Sequence, residues 1–146
     1  QMLTPVSRMA TGHFVPAYYD LAGAENQAMV RWLLKVDKND VLYKLARSKN
    51  MWERRTAIVA TAHFILKQKQ VDDTFAIAEL LVNDKEDLVN KGTGWMLRAA
   101  GDVDRDRLLA FLNKHAPTMP RVLLRYSIEK LEKDQRERYL SLKNAG

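Results

Sequence analysis

The sequence predicts an all-α protein: an α-α superhelix, a solenoid of paired antiparallel helices. Three observations carry this. From about residue 39 apolar residues recur at helical spacing, and no strand-like alternation persists. Capping residues punctuate the chain so that short connectors and long helices alternate. The long helices also repeat in phase. Arg55-Thr56-Ala57-Ile58, Lys91-Gly92-Thr93-Gly94 and Arg125-Tyr126-Ser127-Ile128 align with offsets of 36 and 34 residues. A period in the mid-thirties made of helix pairs is the mark of an α-solenoid.

Taken in order, Asn39 or Asp40 can cap a helix through about Arg47. Asn50 precedes a long helix from Met51 to about Lys69, with Ile58, Thr61, Ala62, Ile65 and Leu66 at helical spacing. Asp72-Asp73 opens the next. Asn83-Asp84 can cap another that runs to about Ala100 and stops at Gly101. Asp102 or Asp104 starts a helix carrying Leu108, Leu109, Phe111 and Leu112. Thr118-Met119-Pro120 starts one through about residue 132, since proline suits a first turn. Asp134 begins a last, polar helix that closes the stack. Upstream, Gly12, Pro16 and Gly23 break the pattern, and Ala28 to Val36 reads as helix. The expectation is one domain over 1–146, poorly defined over 1–38.

With 146 residues the chain can bury a real core. A net charge of +6 and a pI near 9.6 favour an anionic partner. The chain has no cysteine, which excludes disulfides, thiolate metal sites and a cysteine nucleophile, and fits a cytoplasmic protein. No apolar run approaches the roughly 18 residues that span a bilayer, so no membrane partner is expected. His13, His63 and His115 have no metal-ligand spacing, and no phosphate-cradling glycine loop is present. Neither metal nor cofactor is expected. The run Asp84-Lys85-Glu86-Asp87 reads as helix capping.

Lys91, Trp95 and Arg98 stand at i, i+4 and i+7 and share one helix face. A tryptophan between two cations suits an aromatic platform flanked by phosphate-binding side chains. It equally suits a half-buried boundary residue with solvated neighbours. Gly92 and Gly94 weaken the helix but allow close approach of a neighbouring helix or a ligand backbone. Arg54 and Arg55 lie in a first turn, where the helix dipole disfavours cations. An external anion would relieve that, and so would Glu53 or an aspartate from an adjacent helix.

Met51-Trp52-Glu53-Arg54-Arg55-Thr56-Ala57-Ile58 resembles the tryptophan–arginine–alanine helix of the AlkD-like DNA alkylation repair glycosylases. Asp87 through Arg98, with Lys91 followed by Gly94-Trp95 and Leu97-Arg98, is similar to a second signature of that family. His115 to Arg121, continuing to Arg125-Tyr126-Ser127-Ile128, resembles its closing repeat. The resemblance covers roughly residues 41–142. It implies a HEAT-like solenoid whose concave face holds double-stranded DNA, and excision of purines alkylated at N3 or N7. It further implies that Arg54, Arg55, Lys91, Arg98, Arg121 and Arg125 bind DNA and that Trp95 packs on the damaged nucleotide. The catalytic carboxylate falls on Asp20, in Pro16-Ala17-Tyr18-Tyr19-Asp20, with Pro16 where the family carries tryptophan. The family's N-terminal helical half is expected to be absent here.

Three readings remain open on sequence. The chain is a glycosylase for cationic alkylpurines, a DNA-binding solenoid without excision, or a helical scaffold for an acidic protein. The sequence leaves the oligomeric state open.

Overall fold

A computed structural model describes residues 38–142, with side chains from residue 41 onward. The expectations for Asp20 and for a helix over 28–36 lie outside those residues. The described chain is helical and contains no strand. Its helices are α1 (Lys38–Ala46), α2 (Met51–Val59), α3 (Ala62–Gln68) and α4 (Asp72–Leu81). They continue as α5 (Asp87–Val103), α6 (Arg105–His115), α7 (Arg121–Ser127) and α8 (Lys133–Ser141). None is long and apolar enough to cross a membrane.

Local chemistry sets several ends. Asn50 caps α2, its side chain accepting the Trp52 N–H at 2.8 Å. Asp104 caps α6 by accepting the Arg107 N–H at 3.1 Å. Pro120 stands at the N-cap of α7, where its missing N–H costs nothing. Lys69 closes α3 in the left-handed region at φ 54°.

Five boundaries differ from the sequence reading. Asn83-Asp84 does not cap α5, which begins at Asp87 with Glu86 at its N-cap, while Asp84 is held by Arg54. Met51 to Lys69 is not one helix. At Thr61 the N–H and the hydroxyl both bond the Ile58 carbonyl, at 3.1 and 2.7 Å, which tightens one turn and separates α2 from α3. Gly101 does not stop α5. It lies inside the helix because a Cβ there would sit 2.4 Å from Leu108 Cδ2, so its role is close packing on α6. The helix after Pro120 ends at Ser127, five residues short of expectation. Asn39 and Asp40 lie within α1 rather than before it.

The helices stack in two layers. Tyr43 of α1 donates to Asp73 of α4 at 2.8 Å. The α4–α6 joint is then read from Arg107 on Asp72, Phe111 against Phe75 and His115 on Glu79. These pairs rise together along both chains, so α4 and α6 run in the same direction. In the other layer Arg54 of α2 reaches Asp84 just before α5, and Gly94 meets Tyr126. Arg98 pairs with Glu129 and Lys130 with Asp102, so α5 and α7 also run together. The hydrogen bonds among these joints span 28 to 36 residues. That is the spacing of successive helix pairs, and it makes the chain an α-helical superhelical repeat.

Between the layers lies one core, including Leu42, Ile58, Ile77, Met96, Leu97 and Leu112, all fully buried. Truncating such a residue to alanine costs about 2–5 kcal/mol. Asp73 is buried too, and Tyr43 and Gln70 satisfy its two oxygens. Burial and the bond to that carboxylate push the Tyr43 hydroxyl up to about 12.

Candidate nucleic-acid interface

Helix α5 positions the site. It packs against α2 and α7 on its flanks and against α4 and α6 behind. Val89, Asn90, Gly92, Thr93, Gly94, Met96, Leu97 and Ala100 are buried accordingly. What remains partly or fully open on its surface is Asp87, Leu88, Lys91, Trp95, Arg98, Ala99 and Asp102, with Gly101 and Val103 in its last turn. That spacing is a single stripe along the helix. The three residues singled out by spacing therefore lie on the one face of α5 that neighbouring helices leave uncovered.

The stripe continues across the α5–α7 joint. A Cβ on Gly94 would lie 2.5 Å from Tyr126 Cβ and 3.0 Å from the Leu123 carbonyl oxygen. This close approach brings half-buried Tyr126 and exposed Arg125 alongside Trp95. On α7 the open positions are Arg121, Val122, Arg125 and Tyr126, and Glu129 just past its end continues the stripe. The neighbour for which Gly94 makes room is thus a helix.

The cations of this region differ in what they hold. Lys91 pairs with exposed Asp87 one turn earlier, at 3.0 Å. Arg98 reaches across to Glu129; the arginine side chain is 23% exposed and the glutamate 63%. Each pair has one partner largely in water, so it contributes about 0.2–1 kcal/mol and can exchange partners. Arg125 is exposed and makes no ion pair among the described residues.

Arg54, Arg55 and Arg121 sit differently. Arg54 grips Asp84 through two bonds, Nε to Oδ2 at 2.7 Å and an Nη to Oδ1 at 3.2 Å. The side chains are only 18% and 7% exposed. The bond to Asp84 raises the arginine pKa further still. Of the partners weighed for Arg54 from sequence, the one present is an aspartate from a neighbouring element. Arg55 is 2% exposed, with its guanidinium 5.1 Å from the Trp52 ring centroid. It keeps the phase of Lys91 and Arg125 but not their openness. Arg121 donates to the carbonyls of Ala116, Leu140 and Leu142, closing the C-terminus of α8. The structure brings Lys91, Trp95, Arg98 and Arg125 together on one open face and holds Arg54, Arg55 and Arg121 in internal contacts.

Sequence reasoning missed Asp87, Tyr126 and Glu129 as members of this face. The i, i+4 spacing of Asp87 and Lys91 was a readable signal. Glu129 required knowing that α7 lies against α5.

A family model described as DNA alkylation repair enzyme matches residues 19–131 of the chain. No curated protein and no solved structure matches it.

Proposed function

Since the chain belongs to the DNA alkylation repair enzyme family, whose name points to DNA as the partner, we propose that the open face of α5 and α7 grips duplex DNA and that the protein is a glycosylase removing cationic N3- or N7-alkylated purines. The observation that carries this reading is the uncovered stripe of α5, with Trp95 between Lys91 and Arg98. Lys91, Arg98 and Arg125 hold phosphates, each exchanging a weak or absent carboxylate contact for a phosphate oxygen. Trp95 presents its π face toward a base that carries positive charge. Arg54 and Arg121 act from within, by fixing α5 against α2 and closing α8. Arg55 stays buried against the Trp52 ring and is not counted among the phosphate contacts.

The chemistry asked of the protein is modest. Alkylation at N3 or N7 makes the purine a cation and weakens its bond to C1′. That bond breaks with its electron pair passing to the base, which leaves neutral. Positive charge develops on the sugar, and water adds at C1′ with loss of a proton. A carboxylate stabilises that charge and accepts the proton; the family resemblance assigns it to Asp20. Single-turnover incubation with duplex DNA bearing an N7-methylated purine tests the reading. Free methylated base is expected from the parent, with little from Asp20→Asn. Tight duplex binding with no base released by the parent supports instead a DNA-binding solenoid without excision. That alternative draws on Pro16 standing where the family carries tryptophan.

A further inference from the structure

Among the described residues, Arg98 of the stripe takes its partner from another repeat. Its guanidinium bonds Glu129, 31 residues away, just beyond the end of α7. The arginine is mostly enclosed, bordering a notch of about 40 Å³ that Gly101, Asp102, Ser127 and Lys130 also line. The glutamate is mostly in water. Glu129 therefore covers Arg98 from the solvent side, at the open face, and can swing away without disturbing the core.

We propose that Glu129 is a built-in competitor for phosphate at Arg98, setting how tightly this face holds DNA. The inference rests on the reading of the α5–α7 face as the duplex-binding surface. A guanidinium presents a planar fork that matches a carboxylate and a phosphate equally well. Only one can occupy it. A phosphate that docks on Arg98 must displace the glutamate and then lie beside its freed negative charge. The site consequently binds DNA more weakly than its cations would allow. It favours close, multivalent phosphate contacts over loose ones. Asp87 stands in the same relation to Lys91 within one helix, whereas Glu129 reaches Arg98 from the next repeat.

The test is a double-mutant cycle on binding of a short undamaged duplex, read as Kd at fixed low salt. Glu129→Gln keeps the shape of the side chain and should tighten binding roughly 1.5- to 5-fold, the measured range for an exposed ion pair converted to affinity. In an Arg98→Gln background the same substitution should give no such gain. Glu137→Gln, which neutralises an exposed carboxylate on α8, measures the bulk effect of charge and should give less. The proposal is overturned if Glu129→Gln binds no tighter than the parent, if the gain survives without Arg98, or if Glu137→Gln equals it. In each of those cases the parent still binds and the proposed function stands. A parent that does not bind duplex at low salt overturns both.

Discussion

Gly94 and Tyr126 face one another so closely that a single added carbon would collide: a Cβ on Gly94 would lie 2.5 Å from Tyr126 Cβ. The contact sets the spacing of α5 and α7, and so the distance between Trp95 and Arg125. Alanine at position 94 would gain about 1 kcal/mol of helix propensity. It would also overpack a joint where backbone atoms stand in the way, at a cost of about 1–3 kcal/mol. Gly94→Ala should therefore lower stability in urea unfolding. A stability gain would mean that the joint yields and that propensity dominates.

Asp84 holds Arg54 through two hydrogen bonds with both side chains largely covered. Arg54→Gln should cost about 1.5–3 kcal/mol, the range for hydrogen bonds to charged groups. Duplex affinity of the folded variant should change little beside that of Arg98→Gln. Equal losses of affinity in the two variants would place Arg54 on the DNA.

Trp95 is half-buried on the open stripe. Trp95→Ala should weaken recognition of an N7-methylated duplex more than binding to the undamaged one, because a cation over an indole is worth about 0.5–2 kcal/mol. Its effect on stability should stay below the roughly 3–5 kcal/mol of a fully buried tryptophan. A large loss of stability with no lesion-specific effect would mark Trp95 as a packing residue.

These residues also show what a sequence reveals and what it leaves out. The face of α5 was legible because its helical period is local: Lys91, Trp95 and Arg98 share a side whatever packs behind them. The Asn50 cap and the mid-thirties repeat were legible for the same reason. The partners of the cations were not. Asp84 lies 30 residues from Arg54 and Glu129 lies 31 from Arg98, and only the stacking of repeats brings them together. Arg121 read as a surface cation, yet it is spent on backbone carbonyls at the end of α8. The Thr61 turn and the place of Gly101 inside α5 followed from hydroxyl bonding and from close packing on Leu108, neither of which periodicity encodes.

His63 supplies a pH dependence. Burial, reinforced by nearby Lys67, holds its pKa below the ordinary value of 6.5. The folded protein thus resists a proton that the unfolded chain accepts. Above pH 6.5 both states are neutral at this residue and it has no effect. As pH falls through 6.5 toward the lower folded value, stability is lost. Thermal melts from pH 7.5 to 5.5 should show a steeper fall in Tm for the parent than for His63→Gln. Parallel curves would contradict the assignment.

Binding of duplex DNA by the open α5–α7 face is decided by the salt dependence of duplex affinity for the parent and for Lys91→Gln, Arg98→Gln and Arg125→Gln. Each phosphate contact contributes about 0.9 to the slope of log K against log salt. Each single variant should bind more weakly at low salt, with the slope falling by about one per substitution. Parent-like affinity and slope in all three variants would show that this stripe is a solvated surface and that DNA, if bound, is held elsewhere.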